Sequence, residues 1–342
     1  MTSMMKRPLV GLFFVSLLAV LSSCQTTKQG TAISHLQPLA DPDISVEIFK
    51  PEKVWMGTTL MADNHRRGKP RIIEVDMEGR IVWEYTIPSS LSKFNNPGLD
   101  VEWLPDDHVL FLLPRYGVFE VDRAGKTIWS YQDSKVSHDA DRLPNGNTLI
   151  VWGGGDGVND AQVKEITPDG KVVWSWRAKD HFFREPFKGI SNNGWTHTNS
   201  ATRLPNGNTI ISLRNFGFVA EVDPDGAVIR TMGEGIVRYQ HDPEMQPDGR
   251  LLTATHSRDR AVEIDPNTGE VVWRFNPRKG QWRVRDADRL PNGNTLITDA
   301  TKLAEVTPNG KVVWLLRMKG VTYQMKDWPA QGFYKAERIA RR

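Results

Sequence analysis

Short stretches of alternating apolar and polar residues, each followed by a glycine turn, recur along most of the chain. In each stretch a glutamate, an aliphatic residue and an aspartate or threonine precede the turn, and a β-rich segment such as Lys171–Trp174 follows it. This alternation is typical of strands that pack one face on a core, with a glycine turn between them. The motif occurs at intervals of 42–56 residues, at Glu74–Asp76, Glu120–Asp122, Glu165–Thr167, Glu221–Asp223, Glu263–Asp265 and Glu305–Thr307.

A second unit lies upstream of this motif and contains a Pro-Asn-Gly-Asn turn. It runs from Asp141 to Ile150, is nearly repeated at 202–211 and 288–297, and has weaker copies at 102–111 and 244–253. The Asn-Gly step supplies the positive-φ residues that a tight hairpin requires. Together the two units predict four strands in about 45 residues, the size of a propeller blade. The repeats therefore predict an all-β fold, a six-bladed β-propeller with four-stranded blades.

The two ends of the chain are expected to meet. The first repeat begins at Thr59 and lacks a leading strand, whereas the C-terminal segment Tyr334–Ile339 is similar to His138–Leu143, which leads the third repeat. We expect this C-terminal strand to complete the first blade and close the ring, because closure removes exposed sheet edges.

A tryptophan recurs at one position of the last strand in five repeats, and the fourth repeat has Arg230 there. Matched large aromatic side chains suit the gaps between radially stacked sheets. We therefore interpret these residues as blade-to-blade packing. They are Trp83, Trp129, Trp174, Trp273 and Trp314.

The first residues have the layout of a secretion signal. Lys6 and Arg7 precede an apolar run, Leu9–Leu21, that is too short to span a membrane comfortably. The segment Leu21–Cys24 resembles the lipobox of bacterial lipoproteins, which implies cleavage before Cys24 and attachment of lipid chains to it. The alternative is an ordinary signal peptide in which the cysteine is incidental.

These features divide the chain into a signal peptide (1–23), a flexible tether (24–43) and the propeller, expected to be the catalytic domain (44–342). The tether is inferred from polar composition without periodicity. Gln25 after the lipidated residue favours the outer membrane in enterobacteria-like sorting. We therefore expect a membrane-anchored protein on the periplasmic face of the outer membrane.

Composition narrows the classes of partner. The chain has 44 basic and 41 acidic residues and a formal charge of +3, so a basic stripe for nucleic acid is not indicated. Cys24 is the only cysteine, which excludes a disulfide or a thiolate metal site within the chain.

The leading strand of each blade is innermost, so equivalent positions on these strands converge around one axis. At the start of this strand the repeats align Leu99, His138, Asn199, His241, Arg285 and Tyr334. His197 lies two residues before Asn199 and points to the same face. A second ring, at the end of the following strand, aligns Asn64, Pro114, Gly153, Arg214, His256 and Ala300.

Histidines and arginines are thus brought to one end of the channel. Titratable groups gathered in this way perturb one another's pKa values and indicate a ligand site. One hypothesis is a metal ion held by His138, His197 and His241. Arg214 and Arg285 would repel a cation and favour an anionic substrate instead.

Three segments of this region resemble the bacterial arylsulfate sulfotransferases. Residues 195–200 (Trp-Thr-His-Thr-Asn-Ser), with Ser212 and Arg214 one hairpin later, are similar to that family's Trp-x-His-x-Asn-Ser and Ser-x-Arg segments. Gln240 and His241 are similar to its Gln-His segment, and His138 and Asp139 to its remaining catalytic histidine segment. The resemblance covers about 54–339 and implies sulfuryl transfer from an aryl sulfate to a phenol without a nucleotide donor.

The resemblance and the chemistry of the side chains together suggest a role for each residue. His241 is the expected nucleophile, which carries the sulfuryl group as a sulfohistidine. Arg214 is expected to bind the sulfuryl oxygens, and His138 and His197 to transfer protons or bind oxygen. Asn199, Arg285 and Tyr334 are expected to form the substrate-binding wall. No cofactor and no metal ion is expected, and the expected partners are a small aryl sulfate, a phenol and the membrane.

Two further questions stay open at this level. The long insertion between the third and fourth repeats carries Phe182, Phe183 and Phe187, which form either an aromatic-binding lid or a loop that docks its own apolar side chains. The whole propeller is alternatively a non-catalytic binding lipoprotein similar to quinoprotein-like scaffolds. A scaffold gives no reason to gather histidines with arginines, so the sequence favours an enzyme.

Overall fold

The computed structural model describes residues 30–66, 68–94, 100–257, 260–278, 280–319 and 332–340. Within these ranges the protein is nearly all β. Strands β1 to β26 are accompanied by one short helix, α1 (Lys179–Phe182), and a 3-10 helix at Ser92–Phe94.

The strands form six antiparallel sheets arranged in a ring, which confirms the six-bladed propeller. From the axis outward, blade 1 consists of β26 (Phe333–Ile339), β3 (Thr58–Asp63), β4 (Arg71–Val75), β5 (Ile81–Thr86) and β1 (Thr31–Leu39). Blade 2 consists of β6 (Asp100–Trp103), β7 (Val109–Leu113), β8 (Gly117–Val121) and β9 (Thr127–Gln132). Blade 3 consists of β10 (Ala140–Arg142), β11 (Thr148–Val151), β12 (Val163–Ile166) and β13 (Val172–Trp176).

The other three blades have the same order. Blade 4 consists of β14 (Thr198–Arg203), β15 (Thr209–Leu213), β16 (Phe218–Val222) and β17 (Val228–Met232). Blade 5 consists of β18 (Gln240–Met245), β19 (Leu251–Thr255), β20 (Arg260–Ile264) and β21 (Val271–Phe275). Blade 6 consists of β22 (Val284–Arg289), β23 (Thr295–Asp299), β24 (Lys302–Val306), β25 (Val312–Met318) and β2 (Ile44–Phe49).

The C-terminal strand closes the ring, as expected. Strand β26 pairs antiparallel with β3, with Ala336 opposite Met61 and Ile339 opposite Thr58. It therefore takes the innermost place of blade 1, which the first repeat leaves empty, and protects the edge of β3.

The expectation of a flexible tether over 24–43 is wrong for part of that segment. Strand β1 pairs with the outer edge of β5, with Thr31 opposite Thr86 and Ser34 opposite Trp83. An outer edge strand is stabilised by backbone hydrogen bonds and needs no apolar periodicity, and the mixed sequence of β1 shows none. The signal peptide and Cys24 lie outside the described residues.

The recurrent tryptophans join neighbouring blades, as predicted. The indole N–H of Trp83 donates to the carbonyl of Arg123 in the next blade, at 2.9 Å. The same bond recurs at 2.9–3.0 Å from Trp129 to Pro168, Trp174 to Pro224, Trp273 to Pro308 and Trp314 to Met77.

The motif glutamates take part in the same interfaces. Arg142 lies over the ring of Trp129 at 4.6 Å and pairs with Glu120 of the preceding blade at 2.8 Å. In blade 4, where the tryptophan is absent, Arg230 itself pairs with the motif residue Glu221 at 2.7 Å. The motif glutamate of blade 4 is therefore paired with an arginine of its own blade, whereas Glu120 is paired with an arginine of the next blade.

Candidate active site

The four predicted catalytic residues lie together. His138, His197, Arg214 and His241 line one cavity of about 720 Å³, and Tyr334 lines it beside them. The histidines come from the starts of three inner strands, and Arg214 follows β15. Register shifts at the starts of inner strands, for example between His241 and Glu244 in β18, are bulges that redirect side chains toward the axis.

Two of the predicted wall residues lie deeper. Asn199 and Arg285 border a small axial cavity, which His138, His241 and Tyr334 also border, but they do not line the larger one. The amide of Asn199 donates to the carbonyl of Gln240 at 2.8 Å, so it supports the strand that carries His241. The Arg285 guanidinium donates to the carbonyl of Phe333 and lies 5.6 Å from the ring of Tyr334. Leu99 of the predicted inner ring lies outside the described residues.

His241 is held as a neutral imidazole. Burial keeps its pKa well below the ordinary value, and the positive charge of the nearby Arg214 lowers it further. Its ring stacks on His256 with centroids 4.0 Å apart. Its Nε2 atom is buried and has no hydrogen-bond partner among the described residues. A neutral ring with an uncommitted nitrogen is what a histidine nucleophile requires.

His197 has a defined tautomer. Its Nδ1 lies 2.8 Å from the carbonyl oxygen of Asn193, and a carbonyl only accepts, so Nδ1 carries the proton. Burial, and then the charge of Arg214, lowers the pKa of His197 to about 4. The ring is therefore neutral near pH 7, and its Nε2 is an acceptor that can take a proton.

His138 lies beside His197, with ring centroids 5.0 Å apart. Burial keeps the pKa of His138 well below the ordinary value, and the positive charge of Arg214 lowers it further. Its Nδ1 is buried without a hydrogen-bond partner among the described residues. Two neutral imidazoles thus line the cavity beside Arg214.

Arg214 supplies positive charge to this neutral set. Its guanidinium lies 4.5 Å from the ring centre of Tyr239 and donates to the side chain of Asn215 at 3.1 Å. No carboxylate lies within ion-pair distance of it in the part of the chain that the structure describes. Arginine stays ionised in proteins, so this side chain is available for an anionic group.

Asp156 positions His197 and was missed by the sequence analysis. Its buried carboxylate accepts from the backbone N–H groups of Thr196 and His197 at 3.2 and 3.0 Å, and from the hydroxyl of Thr196 at 2.8 Å. The side chain of Gln162 donates to it at 3.0 Å. The surrounding Gly-Asp sequence indicated only a turn, because its contact with a segment 40 residues away is not visible locally.

The backbone near the cavity adopts left-handed conformations that side chains usually avoid. Five of the six non-glycine residues with positive φ in the described chain lie at or beside the site: Arg115 (64°), Asn193 (54°), His197 (48°), Tyr239 (53°) and Asp242 (45°). Such conformations cost of order 1 kcal/mol each and cluster at functional sites. Their concentration here is a second observation that supports a ligand site.

A lysine of the closing strand β26, Lys335, borders the small axial cavity. The Lys335 ammonium lies 3.3, 3.5 and 3.2 Å from carboxylate oxygens of Asp100, Asp139 and Asp242, which belong to three different blades. Burial raises the pKa of Asp139 to about 7 despite the nearby Lys335. The strand that closes the ring therefore also fixes the layer on which the histidines lie.

The phenylalanines of the insertion pack on their own loop and on blade 4. Phe182 and Phe187 lie against Phe216 and Phe218, with ring centroids 4.7–6.1 Å apart. They do not line the main cavity, so the structure favours the docked loop over the lid. The insertion instead contributes the polar residues Asn192 and Asn193 to the cavity wall.

Across the described ranges no set of three or more His, Cys, Asp or Glu residues has a geometry that could hold a metal ion. Likewise, no helix in those ranges has the length and apolar character needed to cross a membrane.

Comparison with solved structures shows the fold. A protein of unknown function from Bacteroides caccae is 20% identical, with a TM-score of 0.58, and the alignment covers 82% of this chain and 98% of that one. A streptogramin B lyase is 12% identical with a TM-score of 0.51, covering 82% and 88%. Virginiamycin B lyase from Staphylococcus aureus is 14% identical with a TM-score of 0.50, covering 84% and 90%.

No curated protein matches the sequence. The family model described as Arylsulfotransferase (ASST) matches residues 45–242, a segment that contains all four predicted catalytic residues. Because this match covers more than half of the chain, the protein belongs to the arylsulfotransferase family.

Proposed function

We propose that this protein transfers a sulfuryl group from an aryl sulfate to a phenol through a sulfohistidine at His241. The observation that carries the proposal is the buried Nε2 of a neutral His241, without a hydrogen-bond partner in the described residues, in a cavity that also holds Arg214. Membership of the family supports a sulfotransferase-type enzyme.

In the first step the lone pair of His241 Nε2 forms a bond to sulfur. The sulfur–oxygen bond to the aromatic group breaks, and its electron pair leaves on the phenolate oxygen. Arg214 stabilises the charge on the sulfuryl oxygens with its planar N–H donors. His138 lines the same cavity, and we expect its ring N–H to donate to the substrate's oxygens and to stabilise the leaving phenolate.

In the second step the acceptor phenol takes the place of the phenolate that the donor released. Its oxygen forms a bond to sulfur while its proton passes to Nε2 of His197. The nitrogen–sulfur bond of the sulfohistidine breaks, and its electron pair returns to Nε2 of His241. His197 then gives the proton to the released phenolate or to water. Splitting the transfer through a covalent intermediate replaces one difficult step by two easier ones.

Turnover of 4-nitrophenyl sulfate, with and without phenol, tests the proposal. We expect nitrophenol release and a mass increase of one sulfuryl group on the peptide that contains His241. His241→Ala should lower the rate by at least about 10³-fold. The matched control His181→Ala lies outside the cavity and should keep the parent rate.

The outcomes separate the two candidate functions. Loss of the adduct together with loss of release in His241→Ala supports the enzyme. Absence of release in the parent protein, with binding of an aryl sulfate retained, would instead support the non-catalytic binding propeller. Equal release in His241→Ala and the parent would overturn the assignment of the nucleophile.

We also propose that Cys24 is lipidated and anchors the propeller to the periplasmic face of the outer membrane, as its lipobox-like context suggests. Labelled palmitate should enter the parent protein and not Cys24→Ser, which should be recovered in the soluble fraction. Label in Cys24→Ser would refute the proposal.

A further inference from the structure

The main cavity carries more positive charge than one sulfate ester requires. Three cationic side chains line it, Arg214, Lys93 and Arg115, and no aspartate or glutamate is among its lining residues. The lining histidines are neutral because burial lowers their pKa values. An aryl sulfate carries a single negative charge, which Arg214 together with the neutral histidines already accommodates.

The other two cations lie on blade 2 and the segment that leads to it. Phe94 stacks on Tyr116 with ring centroids 4.5 Å apart, and the Lys93 ammonium lies 4.8 Å from the centre of the Phe94 ring. Arg115 directly precedes Tyr116 and has a φ of 64°, in a turn held by its N–H bond to the Val136 carbonyl at 2.8 Å. Phe94 and the two cations therefore form one wall of the cavity, and Tyr116 packs against Phe94.

Within the described residues, neither of these cations is neutralised by a carboxylate. In the described ranges no carboxylate lies within ion-pair distance of Lys93 or Arg115, although most arginines of the blade interfaces have a glutamate partner. Like charges that share a cavity wall repel each other and raise the local concentration of anions. The left-handed backbone at Arg115 adds a conformational cost that a glycine in this turn would avoid.

We propose that the aromatic substrate carries a second anionic group, such as a carboxylate, which Lys93 and Arg115 bind while its sulfuryl group lies between Arg214 and His241. In this arrangement the aromatic ring of the substrate lies beside Phe94. The inference rests on the proposed function and specifies its substrate class as aryl sulfates or phenols with an additional acidic substituent.

Binding of two non-transferable probes tests this class without turnover. Benzenesulfonate carries one anionic group and 4-sulfobenzoate carries two, and neither has the ester oxygen that transfer requires. Titration calorimetry at low ionic strength should show about three- to tenfold tighter binding of 4-sulfobenzoate, the range expected for partly exposed charge pairs.

The double variant Lys93→Gln/Arg115→Gln should abolish this preference and change benzenesulfonate affinity by less than about twofold. The control Lys126→Gln/Lys171→Gln removes two charges from exposed positions outside the cavity lining and should keep the preference. Equal affinity of the parent for the two probes, or equal loss in both double variants, would overturn this inference alone. Failure of both probes to bind would overturn the proposed function as well.

Discussion

The imidazole rings of His241 and His256 lie nearly parallel, with centroids 4.0 Å apart and an interplanar angle of 18°. The two residues belong to neighbouring strands of blade 5, where His241 is opposite Ala254 and His256 follows the end of β19. Burial, and the positive charge of the nearby arginines, lowers the pKa of His256 well below its ordinary value. The stack therefore consists of two neutral rings, and it fixes the plane in which His241 presents its nitrogen.

If this packing orients the nucleophile, the shape of residue 256 matters more than its nitrogens. His256→Ala should lower kcat by about 10- to 100-fold, the range that misplacement of a reacting group produces. His256→Phe retains a flat ring and should stay within about threefold of the parent, because the stack persists. Equal losses in the two variants would show that the imidazole of His256 takes part chemically.

The lowered pKa of His197 predicts a pH-dependent contribution to stability. The unfolded chain binds a proton at this residue below about pH 6.5, whereas the folded protein does so only near pH 4. Stability contributed by the neutral ring is therefore present above pH 6.5 and is lost as the pH falls toward 4. The total reaches about 3 kcal/mol for a shift of this size.

Urea unfolding of the parent and His197→Gln at pH 7 and pH 4 measures this contribution. The comparison cancels the opposite effect of buried carboxylates such as Glu102, whose pKa burial raises to about 8. The parent should lose stability relative to His197→Gln as the pH falls. A difference that stays constant between the two pH values would contradict the assignment of a lowered pKa.

Asp156→Asn should impair catalysis through the position of His197. Asparagine has one acceptor oxygen in place of two, so donors from Thr196 and His197 lose partners. We expect kcat to fall by about tenfold or more with KM little changed. The control Asp160→Asn removes a half-exposed carboxylate that pairs with Lys135 at 2.7 Å, and should leave kcat unchanged. Equal kcat values for the two variants would exclude the positioning role.

Gly154 lies against a predicted catalytic ring. A methyl group added there would lie 3.0 Å from Cε1 of His138 and 2.9 Å from Cβ of Ser137, so the histidine must move. Gly154→Ala should lower kcat by about tenfold. In Gly157→Ala the nearest atom to the new methyl group is Oδ2 of Asp160 at 3.6 Å, an ordinary contact, and activity should persist. Full activity in Gly154→Ala would show that the position of His138 is not critical.

Ring closure should depend on a buried ion pair. Arg338 of β26 and Glu305 of blade 6 lie 3.0 Å apart with both side chains fully buried. Removing one partner leaves an uncompensated buried charge, so Arg338→Met should lower the free energy of unfolding by about 3–5 kcal/mol. The exposed pair Arg317–Glu47 is the matched control, and Arg317→Met should cost less than about 1 kcal/mol. Similar midpoints of urea unfolding for both variants would contradict this view of closure.

The repeat pattern allowed the blades, their number and the closing strand to be predicted, because each depends on local alternation and turn chemistry. The Asn145-Gly146 turn illustrates this: Gly146 has a φ of 85°, and the Asn145 side chain accepts the N–H of Asn147 at 3.0 Å. Once the repeats were aligned, His138, His197, Arg214 and His241 were correctly placed around one cavity. Alignment suffices for this because equivalent positions of radially arranged strands converge on a single axis.

Only the tertiary structure decided the depth of each side chain along that axis and the contacts between distant segments. Asn199 and Arg285 lie below the cavity rather than in its wall, because bulges at the starts of inner strands change the direction of successive side chains. Strand β1, the Asp156 anchor and the wall of Lys93 and Arg115 leave no periodic signal in the sequence. Each depends on contacts between segments that are separated along the chain, and local alternation and turn chemistry carry no information about such contacts.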